Sequence, residues 1–106
     1  MIKQISADDV RNSLGDSSIM IIDVRTSSEF SKGSIQGSIN IPVNEINEKI
    51  KSLVSDKNKR IYLYCLSGSR SDAAASILTD LGYTNAYSMT SGLLMWRFKK
   101  YEVISS

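Results

Sequence analysis

The sequence predicts an α/β fold, a mostly parallel sheet with helices on both faces. Three observations carry that expectation. The runs Ile19–Val24 and Ile61–Tyr64 are nearly continuous in apolar residues, the pattern of strands buried on both faces. Segments with helical spacing alternate with them along the chain. The second run ends in the only cysteine, Cys65, which places a reactive group at the carboxyl end of a strand, where open α/β sheets bind ligands.

In chain order, Ser6-Ala7-Asp8-Asp9 offers a helix cap with acids in the first turn, and Ala7, Val10 and Leu14 follow at helical spacing as far as Gly15. Ile19–Val24 is the first buried strand, with Asp23 as its one polar residue. Thr26-Ser27-Ser28-Glu29 has the form of a capping box and starts a short helical turn through Phe30. Gly33 and Gly37 bracket a turn, and Ile39-Asn40-Ile41 is a short strand stopped by Pro42. Ile46, Ile50, Leu53 and Val54 share one helix face, with Glu45 and Lys49 paired outside it. After the solvated turn Lys57–Arg60 comes the strand Ile61–Tyr64. The next helix buries Ala74, Ile77, Leu78 and Leu81 and ends at Gly82. Ala86–Met89 is a further strand, and Ser91-Gly92 starts a helix carrying Leu93, Leu94 and Trp96. Lys99–Ile104 is a candidate final strand, with Ser105 and Ser106 expected to fray.

At 106 residues, the chain has room for one compact domain spanning residues 1–106. Its 13 basic and 11 acidic residues are scattered, which gives no case for a nucleic-acid partner. No apolar stretch approaches membrane-spanning length, and Met1-Ile2-Lys3-Gln4 lacks the pattern of a signal peptide. A lone thiol cannot form an internal disulfide and suits a reducing compartment, so the expected location is cytoplasmic. The chain has no histidine, which excludes a Cys–His pair, a Ser–His–Asp triad and a Cys/His zinc site.

What activates Cys65 must therefore be the loop after it, a helix end and cations. Leu66-Ser67-Gly68-Ser69 leads into Arg70 and a helix. Gly68 and the serines let the backbone curl so that N–H groups point inward as an anion-binding nest. The helix dipole adds about 0.3–1 kcal/mol in favour of a thiolate. Arg70 either supplies a cation to the thiolate or grips a bound oxyanion. A single cysteine is more often a small buried hydrophobe, but serine, glycine and arginine are poor core neighbours and good anion neighbours. The pattern points to thiol chemistry on a small anionic substrate, with sulfur transfer as the leading reaction.

The stretch Tyr64-Cys65-Leu66-Ser67-Gly68-Ser69-Arg70-Ser71, with its Cys-x-x-Gly-x-Arg spacing, closely resembles the active-site loop of the rhodanese-like sulfurtransferases. Asp23-Val24-Arg25 with Glu29-Phe30 resembles that family's first signature, and Gly33 through Pro42 its second. Leu81-Gly82-Tyr83, and Gly92 with Trp96, resemble its later landmarks, so the match runs from about residue 4 to 98. Ser34 stands where the family usually has histidine, at a position read as structural. Leu66 stands where a basic or polar residue is common, which makes the mouth less cationic and weighs against fast turnover of thiosulfate.

The resemblance implies a single rhodanese-like domain with a central parallel five-stranded sheet, no cofactor and no metal. It implies that Cys65 is the catalytic nucleophile, taking a sulfane sulfur from thiosulfate or a similar anionic donor to form a persulfide. A thiol, small or protein-borne, or cyanide then accepts the sulfur. Leu66, Ser67, Gly68, Ser69 and Arg70 would bind the substrate, the backbone stabilising charge on the persulfide and Arg70 holding the donor. Asp23 and Arg25 read as scaffold, Arg25 paired with Glu29 and Asp23 bonded to buried backbone, and Trp96 reads as core or pocket wall. Three alternatives stand beside this reading: a persulfide carrier, a non-catalytic docking module, and a cysteine-loop phosphatase or arsenate reductase. The related phosphatases have one more loop residue than the six from Cys65 through Arg70.

Overall fold

The computed structural model describes residues 2–105. Five strands, β1 (Lys3–Ile5), β2 (Ile19–Asp23), β3 (Ile39–Asn40), β4 (Arg60–Tyr64) and β5 (Ala86–Met89), form one sheet in the order β1-β5-β4-β2-β3. Every pairing is parallel. The helices are α1 (Ala7–Asn12), α2 (Ser27–Lys32), α3 (Ile46–Leu53), α4 (Ser69–Asp80) and α5 (Gly92–Phe98). A 3₁₀ turn, Val43–Glu45, leads into α3.

The period-two alternation of β2 and β4 divides the core. Ile22, Ile61, Leu63 and Cys65 face one side, where Ile46 and Ile50 of α3 and Ala74, Ala75 and Leu78 of α4 cover them. Ile21, Tyr62 and Tyr64 face the other, against Ala7 and Val10 of α1 and Leu93 and Trp96 of α5. Both faces of the central strands are thereby dry, which is why their sequences read as unbroken apolar runs. Trp96 is core on the side opposite Cys65, not part of a pocket around it.

The strand order creates a switch point. From β2 the chain crosses outward to β3, and from β4 it crosses the other way to β5. The two strands pair in register, Asp23 beside Tyr64, and the segments leaving them diverge. Such a divergence leaves a crevice at the carboxyl edge. Cys65 lies at that edge, one residue beyond the end of β4.

Three local expectations are corrected. Lys99–Ile104 adds no strand: Lys100 takes a left-handed backbone (φ 60°), and the chain turns back over α5. There the Trp96 indole N–H donates to the Glu102 carbonyl at 2.9 Å, and only Ser34 and Ile104 form a β-bridge. The fifth strand is instead β1, an exposed three-residue edge held by its register with β5. Helix α1 stops at Asn12 and Leu14 is exposed, as is Leu53 at the end of α3. Of the terminal residues expected to fray, Ser106 lies outside the described residues.

Two contacts position the cysteine loop from outside. The Leu93 and Leu94 amides at the start of α5 donate to the carbonyls of Cys65 (2.9 Å) and Leu66 (3.0 Å). This approach is possible because residue 92 is glycine, at φ 53°; a Cβ there would lie 2.6 Å from both carbonyl oxygens. On the opposite face, the buried Tyr64 hydroxyl accepts the Ile35 amide at 3.0 Å and shares a hydrogen bond with the Ser38 hydroxyl at 3.0 Å.

Gly92→Ala is expected to destabilise the fold by about 1–3 kcal/mol and to slow alkylation of Cys65, both measurable on one preparation. Unchanged stability and reactivity would show that the loop does not depend on this contact. Tyr64→Phe, which strands the buried Ile35 amide, is expected to cost about 1–3 kcal/mol in denaturant unfolding; a neutral effect would contradict the assignment.

Candidate active site

Strand β4 delivers Cys65 to the sheet's carboxyl edge, and the backbone curls around its sulfur before entering α4. Gly68 makes the curl with φ 117°, in the left-handed region that favours glycine, and caps α4. As a result the Gly68 amide donates to Cys65 Sγ at 3.0 Å and the Ser71 amide, in the first turn of α4, at 3.4 Å. The Cys65 residue has 0% of its surface exposed, while Leu66 and Ser67 at the mouth are exposed. Burial pushes the thiol up. The amide and hydroxyl of Ser71 and the amides of Gly68 and Ser67 outweigh it, and Cys65 ends below the ordinary thiol range.

Ser71 is the residue that the sequence reading left without a role. Its hydroxyl is fully buried and lies 3.6 Å from Cys65 Sγ, the thiol donating toward it. The same hydroxyl donates to the Gly68 carbonyl at 3.1 Å and lies 2.7 Å from the buried Ser88 hydroxyl of β5. When Cys65 ionises, the Ser71 proton has a charged acceptor within a small rotation, so this hydroxyl favours the thiolate. A serine one turn beyond the loop glycine, on the inner side of a helix N-terminus, was the available signal.

Arg70 is paired across the crevice with α2. Its guanidinium donates to both carboxylate oxygens of Glu29, at 2.7 and 3.1 Å. Glu29 closes the capping box of α2 as the sequence predicts, accepting the Thr26 amide and hydroxyl at 3.1 Å each. Its carboxyl is lowered to about 2: the Arg70 hydrogen bond is the largest cause and outweighs burial, with Thr26 adding to it.

The expected Arg25–Glu29 pair is therefore corrected. Arg25 instead bonds Asp23, Nη2 to Oδ2 at 2.6 Å and Nε to both oxygens at 3.0 and 3.1 Å, and donates to the Gly33 carbonyl at 2.6 Å. Both residues are buried. A fully buried carboxylate needs its charge met at once, and Arg25 two residues on can meet it where solvent cannot. Asp23 also accepts the Arg25 amide at 2.9 Å, the bond to buried backbone expected of it. Ser34 is held by backbone bonds in both directions with Ile104, a structural role that needs no imidazole.

Of the six loop residues singled out in the sequence, the structure gathers Cys65, Ser67 and Gly68 around the sulfur. Leu66 and Ser69 face outward, and Arg70 reaches across the crevice to α2. Surface depressions near the amino end of β2 and beside Ile39 and Ile41 include no loop residue. Among the described residues no group of three Cys, Asp or Glu side chains is placed to hold a metal ion, and no helix is long and apolar enough to cross a membrane.

Comparison with known proteins agrees with this architecture. Residues 6–99 match the rhodanese-like domain. The chain is 42% identical over 64 residues to the thiosulfate sulfurtransferase PspE of Escherichia coli K12, covering 60% of this chain and 62% of that protein. It is 38% identical over 96 residues to a putative mitochondrial thiosulfate sulfurtransferase of Schizosaccharomyces pombe, covering 80% of this chain and 68% of that one. The crystal structure of a rhodanese-related protein from Thermoplasma volcanium superposes with a TM-score of 0.85 at 34% identity, over 98% of this chain and 99% of the other. An α/β sheet of five parallel strands, with its one cysteine in the loop at the carboxyl edge of the central strand, places this chain in the rhodanese-like family.

Proposed function

We propose that the protein is a sulfurtransferase in which Cys65 carries sulfur as a persulfide. The observation that carries this reading is the pair of amides, Gly68 and Ser71, bonded to Cys65 Sγ at 3.0 and 3.4 Å inside a tight loop. They lower the thiol and so favour the thiolate, the nucleophilic form. In the first half-reaction the Cys65 thiolate attacks the outer sulfur of thiosulfate. A new S–S bond forms, the donor's S–S bond breaks, and sulfite leaves with the electron pair. The persulfide keeps one negative charge, on its outer sulfur. The amides of Ser69 and Arg70, at the start of α4 where no preceding carbonyl takes them, are the donors left for that charge. An acceptor thiolate or cyanide then attacks the outer sulfur and restores the Cys65 thiolate.

The kinship with proteins named as thiosulfate sulfurtransferases supports the reaction class. The six-residue loop and the fully buried sulfur favour a narrow sulfane sulfur over a phosphate-sized tetrahedron. The acceptor is a thiol, on a small molecule or on a protein, and a reduced Cys65 fits the cytoplasm. A persulfide carrier loaded by a partner is the second reading, favoured by the exposed apolar Leu66 at the mouth.

Reduced protein incubated with thiosulfate is expected to gain the mass of one sulfur atom and to lose it to cyanide as thiocyanate. Cys65→Ser should show neither step while unfolding at a similar temperature. Loading of that variant would overturn the nucleophile assignment, and no loading of the native protein would favour the carrier. The alkylation rate of Cys65 should rise with pH through a midpoint below that of a free thiol. Because the Ser71 hydroxyl favours the charged form, Ser71→Ala should move that midpoint upward; an unmoved midpoint would remove the hydroxyl from the activating set.

A further inference from the structure

We infer that Glu29 is a specificity-determining residue for this site: by holding the Arg70 guanidinium it keeps the mouth over Cys65 electrically neutral, and so disfavours anionic sulfur donors relative to donors that present sulfur on an uncharged group. The inference deepens the sulfurtransferase reading and rests on it for the identity of the reactants.

Four observations carry it. The pair is bidentate, Arg70 Nη1 donating to Glu29 Oε1 and Nη2 to Oε2. The carboxylate is anchored from behind by the Thr26 amide and hydroxyl, so it is a fixed partner rather than a loose surface contact. The pair spans the crevice between the segments leaving β2 and β4, the place where the strand order puts a ligand. A second guanidinium, Arg25, is likewise matched by Asp23, and Arg97 lies beyond it against Gly33. A dianion approaching the loop thus meets two neutral pairs and the apolar Leu66, and its attraction is the weak one of a dipole rather than that of a free charge. Arg70 carries the charge that could recruit an anion, and Glu29 decides how much of it is available.

Glu29→Gln tests this cleanly, because glutamine still accepts the Thr26 amide in a capping box while losing the charge. Iodoacetate and iodoacetamide alkylate the same thiolate and differ in charge, so the ratio of their rate constants reads the charge at the mouth without requiring sulfur transfer. Glu29→Gln is expected to raise that ratio by about threefold to fivefold. Arg70→Ala should lower it by a similar factor, and the double variant should return near the native value. Loading by thiosulfate should follow the same order. An unchanged ratio in Glu29→Gln, or a double variant that matches Arg70→Ala, would overturn the inference. If the ratios move as expected and thiosulfate loads none of the proteins, the charge role of Glu29 stands and direct use of thiosulfate falls in favour of a carrier loaded by a partner.

Discussion

The site depends on where two carbonyl groups are held. The Cys65 and Leu66 carbonyls are fixed against the first amides of α5, at an approach that only a glycine at position 92 permits. A backbone whose carbonyls are held on one side presents its amides on the other, and that side is the sulfur. The left-handed Gly68 completes the turn, so that the first residues of α4 arrive with their amides still free of carbonyl partners. The environment of the sulfur is in this sense made by packing between α5 and the loop.

Hydrogen bonds and ion pairs have separate places at this edge. The thiol is pulled down by hydrogen bonds from Ser71, Gly68 and Ser67 against the cost of burial, and Arg70 spends its guanidinium on Glu29. The two ion pairs at the carboxyl edge also differ in kind. Asp23–Arg25 is buried and ties β2 to the Gly33 carbonyl; removing one partner would leave the other uncompensated, at about 3–5 kcal/mol. Glu29–Arg70 is about one-third exposed at both side chains, so solvent screens it and its weight in stability is small. Its consequence lies in what the mouth presents to an incoming reactant.

Much of this was legible in the sequence because it is written in local chemistry. The apolar runs around β2 and β4, the glycine after α4, the capping box at Thr26 and the cysteine-loop-helix order each follow from short-range rules. What was hidden depends on partners far apart in the chain. Edge strand β1 has no apolar alternation and exists through its register with β5. The choice of Arg70 over Arg25 for Glu29 is set by the adjacency of β2 and β4, which brings residues 41 positions apart into contact. The pairing of Ser71 with Ser88 likewise needs β5 beside β4. The tail resembles a strand in composition, yet packing of Tyr101 on Trp96 draws it over α5 instead.

The central claim is that the loop amides receive a negatively charged sulfur borne by Cys65. A crystal structure of the reduced protein after brief exposure to thiosulfate addresses it directly. The account predicts a second sulfur bonded to Cys65 Sγ, lying within the loop and within hydrogen-bonding distance of the amides at the start of α4. An added sulfur directed out of the loop and away from those amides would contradict it.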